Sequence, residues 1–162
     1  MSSTYLIALG SNRRHHLYGS PEGTLRAAME EIASLGMVAA RSSIAQTAPL
    51  GPARRRFANA ALVLESELAP PSLLAALKRM EREFGRRGAR RWADRVLDCD
   101  IILWSGGAWR SPGLLVPHPE YRRRSFVLGP AGAIAPWWRD PATGLSLAQS
   151  NARLTRARPL PR

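Results

Sequence analysis

The chain has 162 residues, of which 45% are hydrophobic and 22% are charged, a composition typical of one globular domain and not of a disordered chain. No apolar run is long enough to cross a membrane, the N-terminus lacks a signal-peptide pattern, and Cys99 is the single cysteine, so we expect a cytoplasmic protein without internal disulfides. The net charge of +12 is unusual, and all but one of the 24 basic residues are arginine. Such a charge favours a polyanionic ligand, either nucleotide phosphates or a nucleic acid backbone.

The order of the predicted elements indicates an α+β fold. Helix starts are marked by Ser20-Pro21 and by Pro70-Pro71, since serine caps a helix and proline suits its first turn. In chain order the predicted elements are a strand at Thr4–Leu9, a helix from Ser20 to Gly36, an extended segment at Val38–Gln46, a strand at Ala60–Leu68, a helix from Pro70 to Gly85, and a strand around Asp98 and Asp100. This β-α-β-β-α-β order predicts a ferredoxin-like core, an antiparallel sheet with both helices on one face.

The rest of the chain is predicted to extend this domain and not to form a second one. We expect a single domain at residues 1–152, with a C-terminal extension after the core, and a basic, proline-rich tail at 153–162 that frays. Near the N-terminus, the adjacent His15 and His16 have no cysteine or further histidine close in sequence. They are therefore interpreted as surface residues and not as a metal site.

The stretch Arg90–Leu103 contains the clearest chemical signal. Asp98 and Asp100 interrupt an apolar strand, and residues two apart on a strand share a face, with about 7 Å between their Cα atoms. Two neighbouring carboxylates on such a strand are unfavourable unless their charge is compensated. Mg²⁺ suits an oxygen-only pair, because it keeps water ligands and binds phosphates. The alternative is a strand end at which both acids reach solvent or pair with Arg91 and Arg95.

Five motifs follow one another along the chain. They are Gly10-Ser11-Asn12; Thr47-x-Pro49-Leu50-Gly51-Pro52; Phe57-x-Asn59-Ala60; Arg91-Trp92-x-x-Arg95-x-Leu97-Asp98-x-Asp100-Ile101; and Val116-Pro117-His118-Pro119 with Arg124-x-Phe126-Val127-Leu128. Their order and spacing, from about Tyr5 to Pro136, resemble the 6-hydroxymethyl-7,8-dihydropterin pyrophosphokinase family of folate biosynthesis. The resemblance implies a ferredoxin-like α+β domain. It also implies a reaction in which ATP donates its β,γ-pyrophosphoryl group to the pterin's hydroxymethyl oxygen and releases AMP.

The resemblance implies roles for residues that handle ATP and metal. Asp98 and Asp100 match a pair that binds two Mg²⁺ ions, and two arginines match catalytic residues of the family, Arg86 and Arg95. Four further residues match positions that bind ATP, with the tryptophan helping to seal the closed site: Arg91, Trp92, His118 and Arg124.

Other matched residues are expected to bind the pterin. Phe57 and Phe126 match two aromatic rings that hold the pterin between them, and offset stacking suits a flat heteroaromatic ring. Asn59 matches the side chain that binds the amide edge of the pterin, since an amide offers both donors and an acceptor. The loop backbone that completes this edge corresponds to Thr47, Ala48 and Leu50.

The chain departs from the family pattern at several positions. Ala93-Asp94 replaces the usual Gly-Pro, Lys78 a common glutamine, and Ala133 a common acidic residue. One alternative is therefore a divergent pterin- and ATP-binding homologue with an altered acceptor or weak activity.

A second alternative is a small basic nucleic-acid-binding module, but nucleic acid is an unlikely partner on the sequence evidence. Such modules place aromatic residues on an open sheet, whereas Thr4–Leu9 contains only Tyr5 and Ala60–Leu68 contains no aromatic residue. We expect a monomer that binds small-molecule substrates and no membrane.

Overall fold

The computed structural model describes residues 1–47, 57–86 and 96–156. Up to the strand of Asp98 and Asp100 the helices and strands follow in the predicted order, and the expected extended segment forms two short strands. Two more short strands and two α-helices follow in the C-terminal extension. The strands are β1 (Ser3–Ser11), β2 (Met37–Arg41), β3 (Ala45–Thr47), β4 (Phe57–Ser66), β5 (Asp98–Trp104), β6 (Trp109–Ser111) and β7 (Leu114–Val116). The helices are α1 (Pro21–Ile32), α2 (Pro70–Arg86), α3 (Ser125–Ile134) and α4 (Leu147–Thr155).

The main sheet is antiparallel. Strands β2, β4, β1 and β5 lie side by side in that order, and the short strand β3 pairs with the beginning of β4. Strand β1 pairs antiparallel with β4 on one side and with β5 on the other. The prediction of a mixed α+β fold around an antiparallel sheet is therefore confirmed. The end of β1 consequently lies between the beginnings of β4 and β5.

Helices pack on both faces of the sheet, because the central strands are apolar on both sides. On one face, Ile7 of β1 belongs to a buried cluster with Leu25 of α1 and Leu77 of α2. On the other face, the next residue toward the N-terminus, Leu6, clusters with Leu128 of α3. The sequence predicted only a C-terminal extension where α3 forms, so the covering of this second face is a finding of the structure.

Several element boundaries differ slightly from the predicted ones. Ser20 caps α1 as expected, and its Oγ accepts a hydrogen bond from the Gly23 N–H at 3.3 Å. Helix α2 continues through Gly85 to Arg86. Helix α4 runs to Thr155, three residues beyond the expected domain boundary at 152, while residues 157–162 lie outside the described residues.

None of the helices in the described ranges is both long and apolar enough to cross a membrane.

His15 is buried, which corrects its interpretation as a surface residue. Only 4% of the residue is exposed, and its ring is hydrogen-bonded to the Phe84 carbonyl at 3.1 Å. The rings of His15 and His16 stack with their centroids 4.7 Å apart. Within the described ranges no group of three or more His, Cys, Asp or Glu residues is arranged to hold a metal ion.

A buried carboxylate links the segment before α3 to the turn before α4. The Tyr121 hydroxyl and the Arg122 Nε both donate to Asp140 Oδ2, the latter at 2.6 Å, and the Ala142 N–H donates to Oδ1 at 2.8 Å. Burial opposes ionisation of Asp140, but these hydrogen bonds outweigh it and hold its pKa below the ordinary value. Burial and the Asp140 hydrogen bond raise the pKa of Tyr121.

Replacing Asp140 with asparagine is expected to lower the free energy of unfolding near neutral pH by about 1–2 kcal/mol, since hydrogen bonds to an ionised group are the stronger ones. The folded-state pKa lies below the ordinary value of 3.8, so this contribution is complete above that value and disappears as pH falls through the folded pKa. Urea unfolding of both proteins, from about pH 7 down to about pH 3, measures the difference. A difference that does not shrink with acid would contradict the assignment.

Candidate active site

A cavity of about 630 Å³ lies where β1, β4 and β5 meet the beginning of α3. Its wall includes the end of β1, the first residues of β4 and β5, and the residues around the start of α3. It brings together six of the residues that the sequence predicted to be functional: Phe57, Asn59, Asp98, Asp100, Arg124 and Phe126.

The strand register explains why polar groups from three strands meet here. Gly10 of β1 lies opposite Asn59 of β4 and opposite Asp98 of β5, and directly opposed residues share a face of the sheet. Ala8, one step along that face, lies opposite Asp100. Gly10 thus separates the amide of Asn59 from the carboxylates. A Cβ at this position would lie 3.3 Å from Asn59 Oδ1, so a glycine here leaves room for the Asn59 amide beside β1.

The two aspartates begin β5 and are both partly exposed to the cavity, and Asp100 has 28% of its side chain accessible. Cys99 between them is fully buried on the opposite face, as strand alternation predicts, and burial raises the pKa of its thiol. The two aspartates therefore present their carboxylates on the same side of an edge strand.

Side chains of α2 bind the backbone between the two aspartates. The Cys99 N–H donates to Glu81 Oε1 at 2.7 Å, and Lys78 Nζ donates both to the Cys99 carbonyl at 3.3 Å and to the same Glu81 oxygen at 3.0 Å. Burial raises the pKa of Glu81, while the Cys99 N–H and Lys78 oppose the shift. Lys78 thus has structural partners in both Glu81 and the Cys99 carbonyl.

His118 lies beside the aspartates but outside the hydrogen-bonding distance. Its Nε2 is 3.9 Å from Asp100 Oδ2, while its Nδ1 accepts the Glu120 N–H at 3.1 Å. The neutral ring therefore carries its proton on Nε2, facing Asp100. Burial lowers the pKa of His118, Asp100 raises it and Arg124 lowers it, with a net shift downward. This shift favours an imidazole that is neutral near pH 7.

Phe57 and Phe126 are exposed rings on the cavity wall. Their exposed fractions are 44% and 43%, which rules out a role as core residues. The guanidinium of Arg124 lies 5.8 Å from the centre of the Phe126 ring, in cation–π geometry. The cavity therefore offers two aromatic surfaces and an adjacent positive charge.

The remaining predicted residues are only partly described. Thr47 ends β3, where its backbone pairs with Phe57, and Arg86 ends α2. Ala48, Leu50, Arg91, Trp92 and Arg95 lie outside the described residues. Gly10 belongs to the first of the five sequence motifs but had no predicted role. The signal that could have indicated one is a glycine at the end of a buried strand.

Comparisons with known proteins match the chain to one family. Residues 6–136 match the model of the 7,8-dihydro-6-hydroxymethylpterin-pyrophosphokinase family. Proteins named 2-amino-4-hydroxy-6-hydroxymethyldihydropteridine pyrophosphokinase are 38% identical in Haemophilus influenzae, over 82% of this chain and 81% of that protein, and 33% identical in Bacillus subtilis, over 95% and 91%.

The fold is also found in solved structures. The wild-type HPPK-DHPS of Plasmodium falciparum superposes with a TM-score of 0.75 over 94% of this chain, at 11% identity. This chain spans 45% of the length of that protein, so the similarity concerns the fold of one part of it. The match to the family model and the identity to its bacterial relatives lead to one conclusion: the chain belongs to the 7,8-dihydro-6-hydroxymethylpterin-pyrophosphokinase family.

Proposed function

We propose that this protein transfers the β,γ-pyrophosphoryl group of ATP to the hydroxymethyl oxygen of 6-hydroxymethyl-7,8-dihydropterin and releases AMP. The observation that carries the proposal is that one cavity combines two exposed aromatic rings, a buried asparagine and two carboxylates on one strand. The names of the bacterial relatives support the same reaction. A cavity lined by two aromatic rings and two carboxylates suits a flat acceptor that must meet a metal-bound phosphate chain.

The pterin is assigned to the Phe57, Asn59 and Phe126 side of the cavity. The two rings are accessible, and stacking between them would hold a flat heterocycle in a defined plane. Asn59 is 6% exposed, so its amide can donate a hydrogen bond to the pterin edge and accept one from it with little competition from bulk water. The backbone at Thr47, which ends the strand paired with Phe57, and the following Ala48 and Leu50 would complete that edge.

Replacing Gly10 with alanine is expected to weaken pterin binding about tenfold, or about 1.4 kcal/mol, and to affect ATP less. The added Cβ would lie on the cavity face, 3.3 Å from Asn59 Oδ1, and would displace that amide. Titration of both ligands, followed by calorimetry, measures the two affinities. Gly129→Ala is the matched control, because its Cβ would meet no atom within 4 Å. Unchanged pterin affinity in Gly10→Ala would contradict the placement of the pterin edge at Asn59.

We propose that Asp98 and Asp100 bind two Mg²⁺ ions. The donor set fits this ion: two carboxylates line one cavity, and two oxygen ligands leave the other coordination positions of Mg²⁺ to water and phosphate oxygens. Bound Mg²⁺ would neutralise charge on the transferring group.

Cationic and neutral donors would hold the nucleotide phosphates. Arg124 lines the cavity next to the pterin slot, and the Nε2 proton of His118 faces the aspartates. Arg91 and Trp92 are assigned to ATP, and Arg86 and Arg95 to the charge of the transferring group, by their match to the family. A planar guanidinium suits this task because it binds two phosphate oxygens at once.

The reaction requires orientation more than covalent help from the protein. The hydroxymethyl oxygen forms a bond to the β-phosphorus, the bond from that phosphorus to the α-phosphate oxygen breaks, and AMP leaves with the electron pair. The hydroxyl proton passes to solvent. Asn59 and the two rings fix the direction of the hydroxymethyl group, and the arginines balance the phosphate charge, so the reacting atoms are held close before the reaction.

We also propose a ferredoxin-like core in a single domain at residues 1–152. Counted without β3, the strands lie in the order second, third, first and fourth, and each neighbouring pair is antiparallel. Residues of α1 and α2 share one buried cluster on the same face of the sheet, which is the arrangement of two interleaved β-α-β units.

The direct test is to mix the protein with ATP, Mg²⁺ and the pterin and to resolve the products by chromatography. We expect AMP and the pterin diphosphate in equal amounts, no AMP without pterin, and no product in excess chelator. ADP in place of AMP would show transfer of one phosphoryl group and contradict the proposal. Pterin binding without AMP would favour a divergent homologue instead.

A further inference from the structure

The segment from His15 to Gly19 forms a small closed loop next to the proposed active site. The His15 N–H donates to the Gly19 carbonyl at 2.8 Å, and the Gly19 N–H donates back to the His15 carbonyl at 2.7 Å. Gly19 has a φ of +73°, a conformation that glycine adopts without strain. The loop begins three residues after Asn12, which lines the active-site cavity. The loop therefore connects the end of β1 with α2, which its side chains contact.

The His15 ring contacts the end of α2. Its Nδ1 accepts the Leu17 N–H at 3.0 Å, so the neutral ring carries its proton on Nε2 and donates it to the Phe84 carbonyl at 3.1 Å. Helix α2 ends at Arg86, so the Phe84 carbonyl is one of the last four, which have no partner within the helix. His15 thus caps the C-terminal turn of α2 from another segment of the chain.

Aromatic stacking reinforces the same connection. The Tyr18 ring stacks on the His15 ring with centroids 4.6 Å apart and on the Phe84 ring with centroids 5.2 Å apart. Phe84 is 3% exposed and belongs to the buried cluster between the helices and the sheet. The loop is therefore fixed to α2 through both the backbone and the side chain of one residue.

We propose that His15 is a positioning residue for Arg86, acting through the Phe84 carbonyl on the last turn of α2. This inference rests on the proposed function. The last turn of a helix frays when its carbonyls lack partners, and Gly85 in this turn adds conformational freedom. A turn held by His15 keeps the backbone at Arg86 in a fixed position, and small displacements of a catalytic group are costly in catalysis.

Two substitutions separate the two hydrogen bonds of the ring. In His15→Asn, the amide oxygen replaces Nδ1 and can still accept the Leu17 N–H, but the link to Phe84 is lost. In His15→Gln, the amide nitrogen reaches the position of Nε2 and can still donate to the Phe84 carbonyl. A residue that only stabilised the 15–19 loop would tolerate asparagine and not glutamine. A residue that positions α2 would tolerate glutamine and not asparagine.

We expect His15→Asn to lower kcat about tenfold with the pterin Kd changed less than twofold, and His15→Gln to keep kcat within about threefold. Amide exchange in the last turn of α2 should be faster in His15→Asn only. His16→Asn is the matched control: it removes a ring that stacks on His15 but leaves the hydrogen bonds to Phe84 and Leu17 in place, so its kcat should match that of the wild type. Wild-type kcat in His15→Asn, or equal loss in both variants, would overturn the proposal.

The glutamine variant and the amide exchange rates also cover two cases in which His15→Asn gives no kinetic result. If His15→Asn does not fold, His15→Gln decides alone, and a folded glutamine variant with a tenfold lower kcat would overturn the proposal. If the wild-type protein forms no AMP at all, the proposed reaction fails, while the exchange rates at the end of α2 still report whether His15 holds that turn.

Discussion

Replacing either Asp98 or Asp100 with alanine is expected to reduce AMP formation about a thousandfold at saturating Mg²⁺, a loss of about 4 kcal/mol of transition-state stabilisation. Each variant removes half of the carboxylate pair that faces the cavity from β5. The transferring group spreads its charge over phosphate oxygens, so loss of a metal ligand acts directly on the transition state. Steady-state rates over a series of Mg²⁺ concentrations provide the measurement.

The same two variants should remain folded, because removing one acid relieves repulsion within the pair when metal is absent. Circular dichroism and urea unfolding check this. Glu67→Gln, an exposed carboxylate just beyond the opposite end of β4, is the control and should retain full activity. Near-wild-type rates in Asp98→Ala or Asp100→Ala would contradict the metal assignment, whatever their stability.

Replacing Phe126 with alanine is expected to weaken pterin binding by about 1–3 kcal/mol, or about 5- to 150-fold, while ATP affinity changes much less. The ring is 43% exposed on the cavity wall, so its loss removes one stacking surface and leaves the buried core of α3, centred on Leu128, intact. Separate titrations with the pterin and with a non-hydrolysable ATP analogue measure the two effects.

Trp137→Ala provides the comparison for the aromatic effect, since Trp137 is 71% exposed and does not line the cavity. It should leave both affinities unchanged. An equal loss for both ligands in Phe126→Ala would mean that the ring supports the whole site and does not hold the pterin specifically. Arg124 stacks on this ring, so a moderate change in ATP affinity is compatible with the assignment.

The secondary structure and the facing of the site residues were predictable from short-range patterns. Alternation along β5 placed Asp98 and Asp100 on one face and Cys99 on the other, and the serine and proline at positions 20 and 21 marked the start of α1. These features depend on residues close in sequence, which is why a single chain was enough to predict them.

Contacts between distant segments were not predictable in the same way. The burial of His15 depends on a carbonyl 69 residues away. Its local sequence is polar: two arginines precede the two histidines, and a tyrosine and a glycine follow soon after. The Tyr121–Asp140 hydrogen bond likewise joins two loops whose sequences give no sign of each other. Gly10 gained a role only when the register showed which residues lie opposite it.

Among the strands that the structure describes, β5 lies at the edge of the main sheet, and an edge strand offers unpaired backbone groups to any other strand that approaches it. In this protein, part of that edge is already bound by other groups. Glu81 accepts the Cys99 N–H, and Lys78 donates to the Cys99 carbonyl. The backbone N–H of His118 donates to the Ile102 carbonyl at 3.0 Å. A foreign strand could therefore extend the sheet at β5 only by first breaking an ion pair and displacing His118. The strand that carries the acidic pair is thus protected from self-association by the neighbours that also hold it in place.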